Sequence, residues 1–231
     1  MKMEKDVLWL RKRDDFKYFT DEEFNQIVKH AHHRFYKKNQ VLFDMGDERE
    51  RMYILESGLV SEERTDESGN FSYFNLIKSE QLFPRIGIFF DDEYHYSVTA
   101  YTDIEVWCFP AKIYEDILLD NSQQMLHWIR KQSELTKLET IKIQHGISTN
   151  ALNKVAVTLA ILFDELSEQS VDREWIIPYP ITLCVIAKIS GLTRETTGVV
   201  MKQLEGQSRI HYEHKQLTFL DIEYFEEILE N

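Results

Sequence analysis

Two rhythms divide the chain. From Arg34 to Phe109 the apolar residues come in short runs at 41–43, 52–55, 59–60, 71–74, 97–100 and 104–109. Polar turns separate them at 45–47, 56–58 and 66–70. Short alternating runs at close spacing predict an antiparallel barrel or jelly roll. Elsewhere the apolar positions recur at helical spacing. They predict a helix over 21–31, carrying Phe24, Ile27 and Val28 on one side, and a short one over 111–119. A long helix capped by Asn121 and Ser122 follows and runs to about residue 145. Its apolar positions, among them Leu126, Trp128, Ile129, Leu135, Leu138 and Ile143, exceed one surface stripe. The stretch 146–150 reads as a hinge, and 151–167 as an amphipathic helix with Val155, Leu159 and Leu162 inward. Residues 1–15 are charged and predict a short helix or a loose arm.

The densest pattern is 182–206, TLCVIAKISGLTRETTGVVMKQLEG. Ile186, Ala187 and Ile189 form one apolar stripe, with Thr182 placed to cap its helix. Thr197, Val200, Met201 and Leu204 form a second stripe at i, i+3, i+4, i+7, behind the cap Thr193. Gly191 supplies the left-handed residue that a tight turn between them needs. Two helices joined this way are a helix-turn-helix, whose second helix can enter the DNA major groove. Arg194, Glu195 and Val199 are then the outward side chains at its start, with Lys202 one turn on. Arginine can meet guanine O6 and N7, and glutamate can accept from cytosine N4. The bland alternative is a surface helix with a local ion pair. Alternation at 209–212 and 216–220 around Glu213, His214 and Lys215 predicts a hairpin wing, and 224–229 a closing helix.

The stretch ITLCVIAKISGLTRETTGVVMKQLE resembles the DNA-binding module of the Crp/Fnr family of bacterial transcription regulators. The shared elements are the I-T start, the S-G turn, T-R-E-T, Gly198 and the K-x-L-E ending. GDERERMYILESGLV is similar to the β-roll of the cyclic-nucleotide-binding family. The resemblance implies an α+β fold: a β-roll effector-type domain over 1–120, a dimerisation helix over 121–146 and a winged helix-turn-helix over 147–231. It implies a homodimer reading a palindromic TGTGA-like operator in double-stranded DNA through 193–206, an activator working with RNA polymerase, and no catalytic residues. Thr182, Thr193, Arg194, Glu195, Thr196, Val199 and Lys202 are its expected DNA-binding set. FNLIKSEQLFPRIGIFF looks most like the ArcR-type branch, which acts on arginine-deiminase and anaerobic energy genes.

The roll departs from its family where the ligand would sit. Arg85 replaces the acid that holds a ribose hydroxyl, and Tyr94 and His95 replace the Arg-Ser pair that holds the phosphate. A phosphate desolvated without a fixed counter-charge is costly, so cyclic AMP is not expected as effector and no cofactor is implied. If an effector pocket exists, Arg85, Tyr94, His95, Glu139 and Thr140 are its candidates. The other expectation for Arg85 is an ion pair with Asp91, Asp92 or Glu93. Phe83, Phe89, Phe90, Tyr94 and Tyr96 are expected in the core. No cysteine precedes Cys108, which excludes the iron–sulfur sensor of the Fnr branch.

Composition narrows the partners. Forty-three per cent hydrophobic and 29% charged residues describe a globular chain, and no apolar run approaches the ~18 residues of a membrane span. A cytoplasmic protein with two buried thiols, Cys108 and Cys184, is expected. The net charge of −13 opposes indiscriminate phosphate binding. Within 181–216, five cations (Lys188, Arg194, Lys202, Arg209, Lys215) face three glutamates, a local +2. His30, His32 and His33 invite a metal reading, but no cysteine or carboxylate stands at ligand spacing, so solvated histidines and no metal are expected. No P-loop, nucleophile elbow or zincin motif is found, which argues against an enzyme. A roll that binds a small ligand without DNA output remains the alternative function.

Overall fold

The alternating positions fold into strands in a computed structural model whose described residues are 2–67, 72–146 and 150–230. The strands are β1 (His32–Tyr36), β2 (Val41–Phe43), β3 (Arg51–Ser57), β4 (Leu59–Thr65), β5 (Ser72–Lys78), β6 (Leu82–Phe83), β7 (Ser97–Ala100) and β8 (Ile104–Pro110). They form two four-stranded sheets, ordered β1-β8-β3-β6 and β2-β7-β4-β5. Inward residues of both sheets meet in one core that includes Phe43, Tyr53, Leu55, Val60, Val98, Ala100 and Val106. This is the jelly-roll-like architecture that period-two patterning predicts. Gly58 makes the β3–β4 turn possible. Its φ is +86°, and an added Cβ would stand 2.5 Å from the Asp103 carbonyl oxygen.

The outer face of the first sheet is apolar too, at Met52, Ile54, Trp107 and Phe109. Helices cover it: α1 (Lys2–Arg11), a 3₁₀ turn at Asp14–Phe16, α2 (Asp21–Val28) and α3 (Ala111–Asp120). Phe16, Phe19, Phe24, Ile27 and Tyr114 fill the layer between. Thr20 starts α2 with a capping box, its hydroxyl accepting from Glu23 N while Glu23 accepts from Thr20 N. The long helix α4 spans Ser122–Gly146, its first turn secured by Asn121 Oδ1 accepting from Gln124 N at 2.9 Å. The chain divides into two compact units at Glu134/Leu135, within α4, with Ser72–Phe74 grouped with the second.

The second unit is built around α5 (Ala151–Leu166), buried from Val155 to Phe163 without interruption. Helices α6 (Leu183–Ser190), α7 (Arg194–Gly206) and α8 (Ile222–Glu230) pack on it. Strands β9 (Glu168–Gln169), β10 (Trp175–Ile176), β11 (Ile210–Glu213) and β12 (Gln216–Phe219) make a small antiparallel sheet ordered β11-β12-β10-β9. Phe163, Trp175, Phe219 and Phe225 join helices and sheet through edge-on ring contacts of 5.0–5.4 Å.

Several expectations need correction. β1, absent from the predicted runs, carries no apolar alternation because it is an edge strand with exposed side chains on both faces. Cys108 is buried, and burial pushes its thiol pKa up, but Cys184 is exposed on α6. Phe83, Tyr94 and Tyr96 are core as expected, whereas Phe89 and Phe90 reach solvent. Phe71, most of the turn 66–70 and the centre of the hinge (147–149) lie outside the described residues.

Candidate nucleic-acid interface

The two helices α6 and α7 are locally determined. Thr182 Oγ1 accepts from Val185 N and Thr193 Oγ1 accepts from Thr196 N, each at 3.2 Å, so both hydroxyls serve as N-caps. Such a cap contributes typically ~1 kcal/mol. Thr196 Oγ1 lies 2.9 Å from Thr193 Oγ1. Gly191 ends α6 with φ +62°, and Leu192 N returns to the Ala187 carbonyl, which turns the chain sharply into α7. Thr197, Val200, Met201 and Leu204 are buried, as their spacing predicts, with Thr197 Oγ1 donating to the Thr193 carbonyl at 2.9 Å.

That buried stripe fixes which side chains face out. Arg194, Glu195 and Lys202 are exposed, and Val199 keeps 68% of its surface. With Gly198 between them they border a groove of about 530 Å³, closed on one side by Tyr212 of β11. Tyr212 is anchored three ways: its phenol donates to the Ile181 carbonyl at 2.8 Å, its N–H donates to Glu205 Oε1 at 2.9 Å, and it pairs with Leu217. Helix and hairpin are therefore joined directly through Tyr212. The hairpin tip, His214-Lys215, has φ of +50° and +69°, the primed two-residue turn that matches strand twist. Arg209 is held by Asp221 and stacks 4.3 Å over Tyr224, so it is spent on structure. Arg194, Lys202 and Lys215 are the cations of this surface without a recorded acidic partner among the described residues. The exposed start of a helix, with a two-pronged donor, a carboxylate and an apolar contact in adjoining positions, has the groups that read base edges.

Within the first unit, the effector-pocket candidates Arg85, Tyr94 and His95 are each held by separate local contacts. Arg85 pairs with Asp15 at 3.1 Å rather than with Asp91, Asp92 or Glu93. Asp15 is buried, and its other carboxylate oxygen takes Lys131 Nζ at 3.4 Å. Sequence separation hid this partner, which the 3₁₀ turn delivers from 70 residues away. Tyr94 lies inside the roll, stacked on Phe43 at 3.8 Å with 16° between the rings. Its hydroxyl donates to the Arg51 carbonyl and accepts from Arg51 N. Burial pushes the phenol pKa of both Tyr94 and Tyr53 up, so they stay neutral. His95 is exposed and meets the Arg64 guanidinium. Glu139 and Thr140 belong to the second unit, where Thr140 Oγ1 donates to the Thr136 carbonyl. A separate groove of about 860 Å³ runs past Glu48, Phe90, Asp92 and Glu115, and none of the five candidates lines it.

Comparison with known proteins is consistent with this architecture. Residues 33–121 match the cyclic nucleotide-binding domain. The chain is 27% identical over 198 residues to the HTH-type transcriptional regulator ArcR of Staphylococcus aureus (strain JH1), covering 79% of this chain and 77% of the relative. The ArcR of Staphylococcus haemolyticus is 24% identical over 182 residues, covering 77% of each. Among solved structures, FixK2 from Bradyrhizobium japonicum superposes with a TM-score of 0.72 at 17% identity, covering 86% of this chain and 96% of that one. A CRP/FNR-family transcriptional regulator from Thermus thermophilus gives 0.64 at 22%, covering 87% and 99%. These relatives are regulators of transcription, not enzymes. Among the described residues no helix is long and apolar enough to cross a membrane.

Proposed function

We propose that this chain, a transcription regulator of the Crp/Fnr type, binds a palindromic DNA operator as a homodimer and does so without cyclic AMP. The observation that carries the reading is the outer face of α7, where Arg194, Glu195, Val199 and Lys202 stand exposed on a helix fixed by its buried side. Arg194 reads a guanine, Glu195 a cytosine, and Val199 packs on a thymine methyl, in a TGTGA-like half-site. Thr182, Thr193 and Thr196 sit at the helix starts, where N–H groups can approach phosphates.

Dimerisation is supported by α4. Leu126, Ile129, Ser133, Thr136, Thr140 and Ile143 follow one another at steps of 3 and 4, and all six are exposed. That is the spacing of a coiled-coil seam, and its apolar members Leu126, Ile129 and Ile143 leave 49%, 52% and 65% of their surface open. On this reading 1–120 is an effector-type domain, 121–146 the dimer helix and 147–231 the DNA-binding domain. Independence from cyclic AMP is supported by the roll interior, where Phe43, Tyr53, Phe83, Tyr94 and Tyr96 are all buried and two of their contacts are stacked. The likeness to ArcR extends the proposal to arginine-deiminase or anaerobic genes, with RNA polymerase as partner.

The experiment is a fluorescence-anisotropy titration of a palindromic TGTGA-type duplex and a scrambled duplex at two salt concentrations. A preference of ~10³-fold or more for the palindrome is expected. Equal affinity for both duplexes would sink the reading and favour a roll whose output is not DNA binding.

A further inference from the structure

The histidines that open β1 are absorbed by none of the functions above. Sheet register carries His33 opposite Trp107 of β8, so the two side chains share a face. Glu105 is two residues before Trp107 and lies on that face as well. On the other flank of β8, Ile54 faces Trp107, Leu55 faces Val106 and Ser57 faces Glu105. Glu56 is therefore the additional residue of a bulge, and bulges re-aim a side chain. Three adjacent strands thus converge one imidazole and two carboxylates.

The distances suit an ion. His33 Nε2 lies 2.9 Å from Glu56 Oε2 and 3.6 Å from Glu105 Oε2. One ligand atom from each of the three lies within 4.8 Å of the others. With metal bonds of ~2.0–2.2 Å, ligand atoms around a tetrahedral ion stand roughly 3.3–3.6 Å apart. The 3.6 Å separation falls in that range, and the 2.9 Å separation lies below it.

Two further observations separate this cluster from ordinary surface acids. Among the described residues the imidazole is the one ion-pair partner of either carboxylate, so two anions share at most one positive charge. The indole N–H of Trp107 donates to Glu56 Oε2 at 2.9 Å, and its ring centre lies 5.0 Å from that of His33. A second group that orients a ligand carboxylate is a regular feature of metal sites.

We propose that His33, Glu56 and Glu105 bind a divalent transition-metal ion of the zinc kind, with water completing its coordination from the solvent side. One nitrogen and two oxygens are a donor set that zinc accepts, and three protein ligands with an open position are a recurrent arrangement. All three side chains keep part of their surface open, so the ion enters without the sheet parting. β1 is the edge strand of its sheet, and the ion ties it to β8 beside it and to β3 beyond. Binding to the folded sheet alone raises its stability in proportion to metal saturation. This site does not depend on the DNA reading.

The test is calorimetric titration of the full chain, stripped with a chelator, using zinc chloride. One zinc per chain is expected. His33→Ala and Glu105→Gln should each lower affinity at least ~10-fold. His30→Ala and His32→Ala, which alter the neighbouring exposed imidazoles, should leave it unchanged. Glu105→Gln preserves size, so its metal-free unfolding temperature should match the wild type while the zinc-induced rise is lost. Zinc affinity that is equal in wild type and in the His33→Ala, Glu105→Gln double variant overturns the proposal and leaves an ion pair only. So does an affinity that falls instead with His30→Ala or His32→Ala.

Discussion

The interior of the β-roll and the outer face of α7 both resemble Crp/Fnr-family motifs in sequence, but the resemblance reaches the expected binding residues only on α7. In the roll, the positions that the resemblance assigns to a charged ligand now hold Arg85, Tyr94 and His95. Arg85 is turned to Asp15, Tyr94 is stacked in the core, and His95 is at the surface. On α7 the pattern T-R-E-T is kept, and its side chains stay in solvent above an intact apolar stripe. An interior without counter-charges for a ligand favours core packing, because aromatic rings gain ~1.5–3 kcal/mol each by burial there. An outer face has no such alternative use. Exposed Arg194 and Glu195 add nothing to packing, so their presence on this face fits a role toward something outside the chain.

The largest effect that would break this contrast concerns the seam of α4. On the proposed dimer, Ile129→Glu with Ile143→Glu puts charges into an apolar contact and separates the protomers. Operator affinity should then fall by ~10²–10⁴-fold, the gain that comes from engaging two half-sites together. Leu135→Glu changes an apolar residue of the same helix off the seam and should leave the dimer intact. Sedimentation of the three proteins checks this. A wild type that is monomeric at micromolar concentration removes the dimer.

Next in size is Tyr94→Ala. If Tyr94 has become core, its loss leaves a cavity beside Phe43 and strands the Arg51 backbone groups that its hydroxyl serves. A cost of ~3–5 kcal/mol to the first unit is expected, read by urea unfolding. The sequence-specific DNA preference of the variant, measured at a temperature where it stays folded, should be that of wild type. An unfolding midpoint that does not move would mean that the ring is not part of the core.

How much of this was legible in the sequence follows from where each signal resides. Helix caps and stripes are local, so Thr182, Thr193, Gly191 and the face Thr197–Val200–Met201–Leu204 could be read directly and are found as expected. The strands with one buried face were equally plain, for instance 41–43 and 97–100. What could not be read are pairings set by topology. Arg85 looks to its acidic neighbours at 91–93 along the chain, but the fold hands it Asp15. His33 has no carboxylate at ligand spacing, yet register and a bulge bring Glu56 and Glu105 beside it. Edge strand β1 shows no alternation because neither of its faces is deeply covered.

A smaller effect sharpens the α7 half of the comparison. Arg194→Ala should cost ~1–3 kcal/mol per half-site and relax preference at one base pair only. Lys202→Ala, one turn further along the same face, should weaken specific and random DNA alike and reduce the salt slope by about one. Titrations against single-base variants at two salt concentrations distinguish the two outcomes. If Arg194→Ala weakens all sequences equally, Arg194 touches phosphate and the base-reading assignment is wrong.

The smallest effect expected is none. Cyclic AMP should produce no calorimetric signal and no change in operator affinity. Its phosphate would need a cation inside the roll. Arg85 is committed to the buried carboxylate of Asp15, and Arg64 meets His95 at the surface. Its purine and ribose would need volume now taken by Phe43, Tyr53, Phe83, Tyr94 and Tyr96. Displacing one stacked ring costs roughly what its burial gains, ~1.5–3 kcal/mol, and the unpaired phosphate adds a desolvation penalty. Those two costs together oppose binding. The control is Tyr94→Arg with His95→Ser, which restores the family's charged pair. Weak binding gained by that variant, against none in wild type, supports the view that the roll's ligand site was converted into core. A micromolar constant for the wild type would show that another side chain supplies the cation and that the roll still senses nucleotide.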